Sequence, residues 1–132
     1  MKTILILLAL SSMIGCSKSG GNNGGSSNSS EQQITFTLNA TDNSISPANN
    51  FPVNVTLTSV MPNQGINVSA TVLDQSNNNR IAQNAAITSS KTVNGITIIN
   101  LPEQNWCQTT VTVTSVDKPS NSLSKPFTLV YK

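Results

Sequence analysis

The sequence predicts an all-β domain, a seven-stranded antiparallel sandwich preceded by a disordered linker. Three observations carry that prediction. Apolar and polar residues alternate with a period of two through most of residues 33–132. Clusters of Asn, Gly, Ser and Pro interrupt the alternation at a spacing of roughly 8–15 residues. No window sustains a 3.6-residue apolar period, so helix content is expected to be close to nil.

The elements follow in order. Ile34, Phe36, Leu38 and Ala40 alternate with Thr35, Thr37 and Asn39 in the first strand. Thr41 to Asn50, with Ser46-Pro47, reads as a turn-rich stretch. Phe51, Val53, Val55 and Leu57 mark the second strand, and Met61 to Gly65 is a turn. Ile66, Val68, Ala70 and Val72 mark the third, ahead of the loop Asp74 to Asn79. A short strand is expected around Ile81–Ile87, another over Val93–Leu101, and the last two over Gln108–Val116 and Pro126–Tyr131. The three Phe residues fall on the inward phase.

Composition narrows the chemistry. Of 132 residues, 18 are Asn, 19 Ser and 15 Thr, while only 9% are charged and 4% aromatic. There is no histidine, which removes imidazole bases, Ser-His and Cys-His nucleophile pairs and every His-containing metal site. Seven basic residues lie singly, and no Lys/Arg run reads as a phosphate-binding stripe. Nucleic acid is therefore not an expected partner.

The amino end reads as a secretory signal over residues 1–15: Met1-Lys2, then the apolar run Ile4 to Leu10, then small residues up to Cys16. The apolar run is shorter than the ~20 residues a membrane span needs. Met13-Ile14-Gly15-Cys16 resembles the lipobox of bacterial lipoproteins, with Met13 standing where that family prefers Leu. The resemblance implies cleavage between Gly15 and Cys16, and attachment of a diacylglycerol and a further acyl chain, such as palmitate, to Cys16. Several chains make anchoring effectively permanent, since each buried CH₂ contributes ~0.8 kcal/mol. It also implies, through Ser17 after the cysteine, an outer-membrane destination in a bacterial envelope. Residues 16–32 complete the lipidated linker. Its core, Ser17 to Ser30, holds four Gly, six Ser, three Asn and one Lys. Such a segment has nothing apolar to bury and is expected to be a coil spanning about 20 Å.

Residues 33–132 resemble immunoglobulin-like and fibronectin type III-like domains. The likeness rests on Ile99 to Trp106, similar to their E–F corner, on Thr110 to Thr114, similar to strand F, and on Asn121 to Tyr131, similar to the final strand. Trp106 departs from the pattern because it is out of step with Val111 and Val113, whereas Cys107 is in step. Either a bulge resets the phase near Gln108, or Cys107 lies inside with Trp106 at the sandwich end; the second reading is adopted.

Candidate site residues are few. Cys107, the thiol left once Cys16 is acylated, is expected to be a small buried hydrophobe, since no His is present to activate it. The carboxylates Glu31, Asp42, Asp74, Glu103 and Asp117 fall in loops or at loop edges, with nothing in their spacing to pair them for acid–base work. Asp74 with Asn77 and Asn79, or Asp42 with Asn43, offers oxygen ligands for calcium, but the pattern is equally that of self-capping turns, and no metal or cofactor is expected. Asn54-Val55-Thr56 and Asn67-Val68-Ser69 match a glycosylation sequon and are read as strand residues. The outward rows Asn54/Thr56/Thr58, Asn67/Ser69/Thr71 and Thr110/Thr112/Thr114 are uncharged. They read either as a solvated face or as a hydrogen-bonding surface. Trp106 reads either as a cap over the core or as an exposed ring for a partner.

These observations point to a non-catalytic module, lipid-anchored in a bacterial envelope and serving binding, adhesion or envelope assembly. The possible contacts are Trp106, Thr110, Thr112 and Thr114, and the partner is an envelope or host protein or a glycan. The alternative is an inhibitor or accessory subunit of an envelope or secreted hydrolase.

Overall fold

Alternation in sequence becomes alternation in burial, and the burial builds two sheets around one core. The structure is a computed structural model that describes residues 30–88 and 94–132. The described residues contain nine strands and no helix: β1 (Phe36–Leu38), β2 (Ser44–Ser46), β3 (Phe51–Leu57), β4 (Ile66–Asp74), β5 (Arg80–Ile81), β6 (Ala86–Thr88), β7 (Asn94–Ile98), β8 (Trp106–Ser115) and β9 (Ser122–Tyr131).

One sheet has the order β1-β3-β7; the other runs β2-β9-β8-β4-β5, with β6 also paired to β4. The expectation of seven strands, all antiparallel, is corrected on both counts. β2 lies in the stretch read as a loop and pairs with β9 in parallel, Ile45 opposite Val130. The strand expected around Ile81–Ile87 is split into β5 and β6, which meet different ends of β4. A three-residue strand such as Ser44-Ile45-Ser46 is too short to show periodicity, so only its neighbour makes it a strand. β9 begins at Ser122 rather than Pro126, and β8 at Trp106 rather than Gln108.

The two sheets share a core of Val53, Val55, Ile96 and Ile98 from the smaller sheet, packed with Val68, Val72, Val111, Val113, Phe127 and Leu129 from the larger. Phe51 of β3 meets Phe127 of β9 with ring centroids 6.5 Å apart, a tilted pair that ties one sheet to the other. The Lys125 ammonium sits 5.3 Å from the Phe36 ring centroid and covers the core margin.

Both ends of the sandwich-like body are defined by β8. At its Ser115 end the N-terminal segment enters, held by the buried Asn121. That side chain accepts from the Ile34 N–H at 2.8 Å and donates to the Glu31 carboxylate and to the Gln32 carbonyl. Glu31 and Gln32, inside the segment 16–32 read as linker, are therefore packed on the domain. The turn Pro62 to Gly65 lies at this end, where Gly65 takes φ 89° and donates to the Pro62 carbonyl. The other end carries the loops after β4 and β7 and Lys132, whose N–H reaches the Ser46 carbonyl. A ten-residue strand separates the two ends by about 30 Å.

Val111 and Thr109 give opposite tests of the inward phase of β8. Val111→Asp leaves an unpaired charge in the core and is expected to destabilise the domain by more than about 3 kcal/mol. Thr109 is fully buried and its hydroxyl has no partner, so Thr109→Val is expected to raise stability by about 1 kcal/mol. Urea denaturation of the two variants measures both effects.

Candidate functional site

The larger sheet turns one face to the core and the other outward. Along β8, Cys107, Thr109, Val111, Val113 and Ser115 are buried, so Trp106, Gln108, Thr110, Thr112 and Thr114 share the outer face. Register then fixes their neighbours. Asn67, Thr114 and Ser122 form one row, Ser69, Thr112 and Ser124 the next, then Thr71, Thr110 and Pro126, then Leu73, Gln108 and Thr128. The last row is Trp106, Val130 and Ile45. The face is hydroxyl- and amide-rich at the end where the chain enters, and bulky and apolar at the far end.

The one charged residue in these rows is Arg80, which pairs with Leu73 at the β5 edge. Its guanidinium lies 3.5 Å from the Thr71 hydroxyl, and at the opposite border Asp42 accepts from the Thr128 N–H at 3.1 Å. Two rows close on themselves: the Thr112 and Ser124 hydroxyls lie 2.8 Å apart, those of Thr114 and Ser122 2.9 Å apart. Each such pair shares one hydrogen and keeps a second O–H free to donate.

At the far end Trp106 is 36% exposed, Leu73 37% and Ile45 58%, whereas Val130 between Trp106 and Ile45 is fully buried. Val130 is therefore covered by its neighbours, while the indole beside it in the row still presents surface to solvent. Trp106 is thus part of the outer face as well as an end residue. Thr110, Thr112 and Thr114 lie beside Asn67, Ser69 and Thr71 as one surface. Asn54 and Thr56 belong to the smaller sheet, with Thr58 just past the end of β3, and are not part of it. The sequence offered Trp106 and the Thr ladder but not Ile45, Leu73, Gln108 or Ser124, whose membership depends on cross-strand register.

The far end is braced from within by Asp74. Its carboxylate accepts the Ser76 N–H (2.8 Å) and hydroxyl (2.7 Å) through Oδ1, and the side-chain amides of Asn105 (3.1 Å) and Asn77 (3.2 Å) through Oδ2. Asn77 accepts in turn from the Asn79 N–H, and Asn78 takes φ 58°. The candidate calcium loop is therefore closed by its own donors. At the other candidate, Asp42 accepts from Thr128, and the Asn43 N–H donates to the Thr128 hydroxyl. Among the described residues no three His, Cys, Asp or Glu side chains converge as a metal site. The Ser76 hydroxyl and N–H hold the Asp74 carboxyl below its ordinary value near 3.8. Cys107, opposite Asp74 in the ladder, is buried, and burial together with the Asp74 charge pushes its thiol up to about 11.

At the entry end a cleft of about 480 Å³ is lined by Glu31, Gln32, Val60, Met61, Gln64 and Asp117, with Ser30 in its wall. Tertiary structure brings Glu31 and Asp117 to this one cleft, a pairing the spacing did not indicate. Both are structurally engaged, Glu31 by Asn121 and Asp117 by the Gln64 N–H at 3.0 Å. Because both of the cleft's carboxylates are already engaged, the outer face of the larger sheet is the stronger candidate. The signal segment, Gly15 and Cys16 lie outside the described residues. No protein-family model, curated protein or solved structure matches the chain.

Two solution measurements follow. Cys107 is expected to resist thiol reagents at pH 8 and to react once urea is added, as followed by absorbance. Because the Asp74 carboxyl is depressed in the folded state, its stabilisation is present above pH ~4 and lost as pH falls through the folded value. Asp74→Asn is accordingly expected to melt lower at pH 7 and to show a flatter acid limb in thermal scans.

Proposed function

We propose that the protein is a lipid-anchored bacterial envelope module with an immunoglobulin-like β-sandwich, and that it works by binding rather than catalysis. The observation that carries the reading is the placement of the outer face: its apolar end, Trp106 with Leu73 and Ile45, lies about 30 Å from where Asn121 holds the N-terminal segment. A chain anchored at Cys16 and leading into Glu31 would present that end away from the lipid surface. The two sheets, β1-β3-β7 and β2-β9-β8-β4-β5, support the sandwich part of this reading. The segment read as a corner holds a buried Leu101, Gln104 at φ 61° and a Gln104 N–H that donates to the Tyr131 carbonyl, which is compatible with that reading.

A non-catalytic role is supported by the state of the titratable groups. The Asp74 carboxylate is saturated with donors, the Cys107 thiol is held protonated, and the sequence contains no histidine. Contact is what this surface can do. Attachment through acyl chains would keep the module at the boundary, with the Gly/Ser/Asn segment as spacer.

Cys16→Ser is expected to abolish palmitate incorporation and release the protein from the membrane fraction. Crosslinking of the acylated protein in its own envelope is expected to capture a component whose yield falls at least about tenfold in Trp106→Ala. Incorporation that survives Cys16→Ser removes the anchor, and capture indifferent to Trp106 removes the face.

A further inference from the structure

We infer that the outer face of the larger sheet binds an uncharged polysaccharide, with a sugar ring stacked on Trp106 and the chain lying along the hydroxyl rows toward Thr114. The inference rests on the binding role proposed above and names the ligand class.

The occupant follows from what the face offers. Its five rows carry hydroxyl, amide and apolar side chains and one charge, Arg80 at the β5 edge, which is directed to Thr71, while Asp42 at the opposite border is directed to Thr128. Nucleic acid or an acidic glycan would need several Lys or Arg side chains aligned with its charges, and these rows hold a single one, Arg80. A protein partner fits poorly, because serine is depleted at protein interfaces and Ser and Thr seldom carry their binding energy. Neutral sugars have the matching chemistry. A pyranose has an apolar C–H face that packs on an indole and a rim of hydroxyls that both donate and accept. The rows mirror that rim: the Thr112–Ser124 and Thr114–Ser122 pairs each retain one free O–H together with acceptor lone pairs. Leu73, in the next row, and Ile45, one strand beyond Val130, extend the apolar end for a ring. Five rows at two residues each give a track of about 27 Å, long enough for several sugar units.

Trp106 is the single tryptophan of the chain, so its emission reports on this face alone. The test uses the full-length protein in a polyoxyethylene detergent, which carries no sugar headgroup. Native gels are cast with mannan, xylan, dextran or a soluble cellulose ether, and in parallel with polygalacturonate, while Trp106 emission is titrated with the same polymers. The expected result is retardation by at least one neutral polymer with a shift in emission. Trp106→Ala is expected to weaken retardation about tenfold or more, and Thr112→Val measurably. Thr56→Val, on the outer face of the smaller sheet, is expected to leave it unchanged. Circular dichroism of each variant separates lost binding from lost fold, and Thr112→Val, a near-isosteric change at a partly exposed site, keeps the test open should Trp106→Ala unfold. Retardation by polygalacturonate alone, or neutral binding indifferent to both Trp106 and Thr112, overturns the inference. If no polymer binds while Trp106-dependent crosslinking captures a protein, the ligand class is wrong and the binding role stands. If neither occurs, both fall.

Discussion

Every outward-facing feature of this molecule depends on the phase of β8. Its buried set, Cys107 through Ser115 in steps of two, packs against β3 and β7 across the core and is held on both sides by β4 and β9 over nine register positions each. A shift of one residue would bring Trp106, Thr110, Thr112 and Thr114 inward and expose Val111 and Val113. The cost of exposing that apolar set, together with that of burying hydroxyls without partners, makes the alternative untenable. The core therefore selects which residues become the surface.

The two ends of β8 are stabilised differently, and the difference has a functional meaning. At the entry end, Asn121 acts as a latch whose carbonyl and amide are both used to hold the incoming backbone. At the far end, Asp74 gathers four donors and draws the loop after β4 against the chain leading into Trp106, where the Gln75 N–H bonds the Trp106 carbonyl. The indole thus rises from a braced corner and is 36% exposed.

The near-absence of charge has two consequences. It makes the outer face compatible with a neutral, hydroxylated ligand, and it leaves β8 without charged gatekeepers. β8 escapes the usual hazard of such a sequence because it is central, with β4 and β9 occupying both of its hydrogen-bonding edges. The edges of that sheet fall instead to β2 and to the short β5 and β6, which are too brief to template another strand readily.

Much of this was readable from residue order. Alternation placed Val53, Val55, Val68, Val72, Val111 and Val113 inward, and phase alone put Cys107 inside and the Thr ladder out, because a strand's side chains have no other choice than two faces. Residue order also set the chemistry available: no imidazole, few carboxylates, one indole. It could not tell which outward rows share a surface, since pairing across strands far apart in sequence is decided by the packing of the whole core. For that reason Ile45, in a three-residue strand with no periodicity of its own, joins Trp106 only through Val130, and Thr56 does not join Thr112 at all. Local composition determines what each strand can present; the long-range burial of apolar area determines beside whom it is presented.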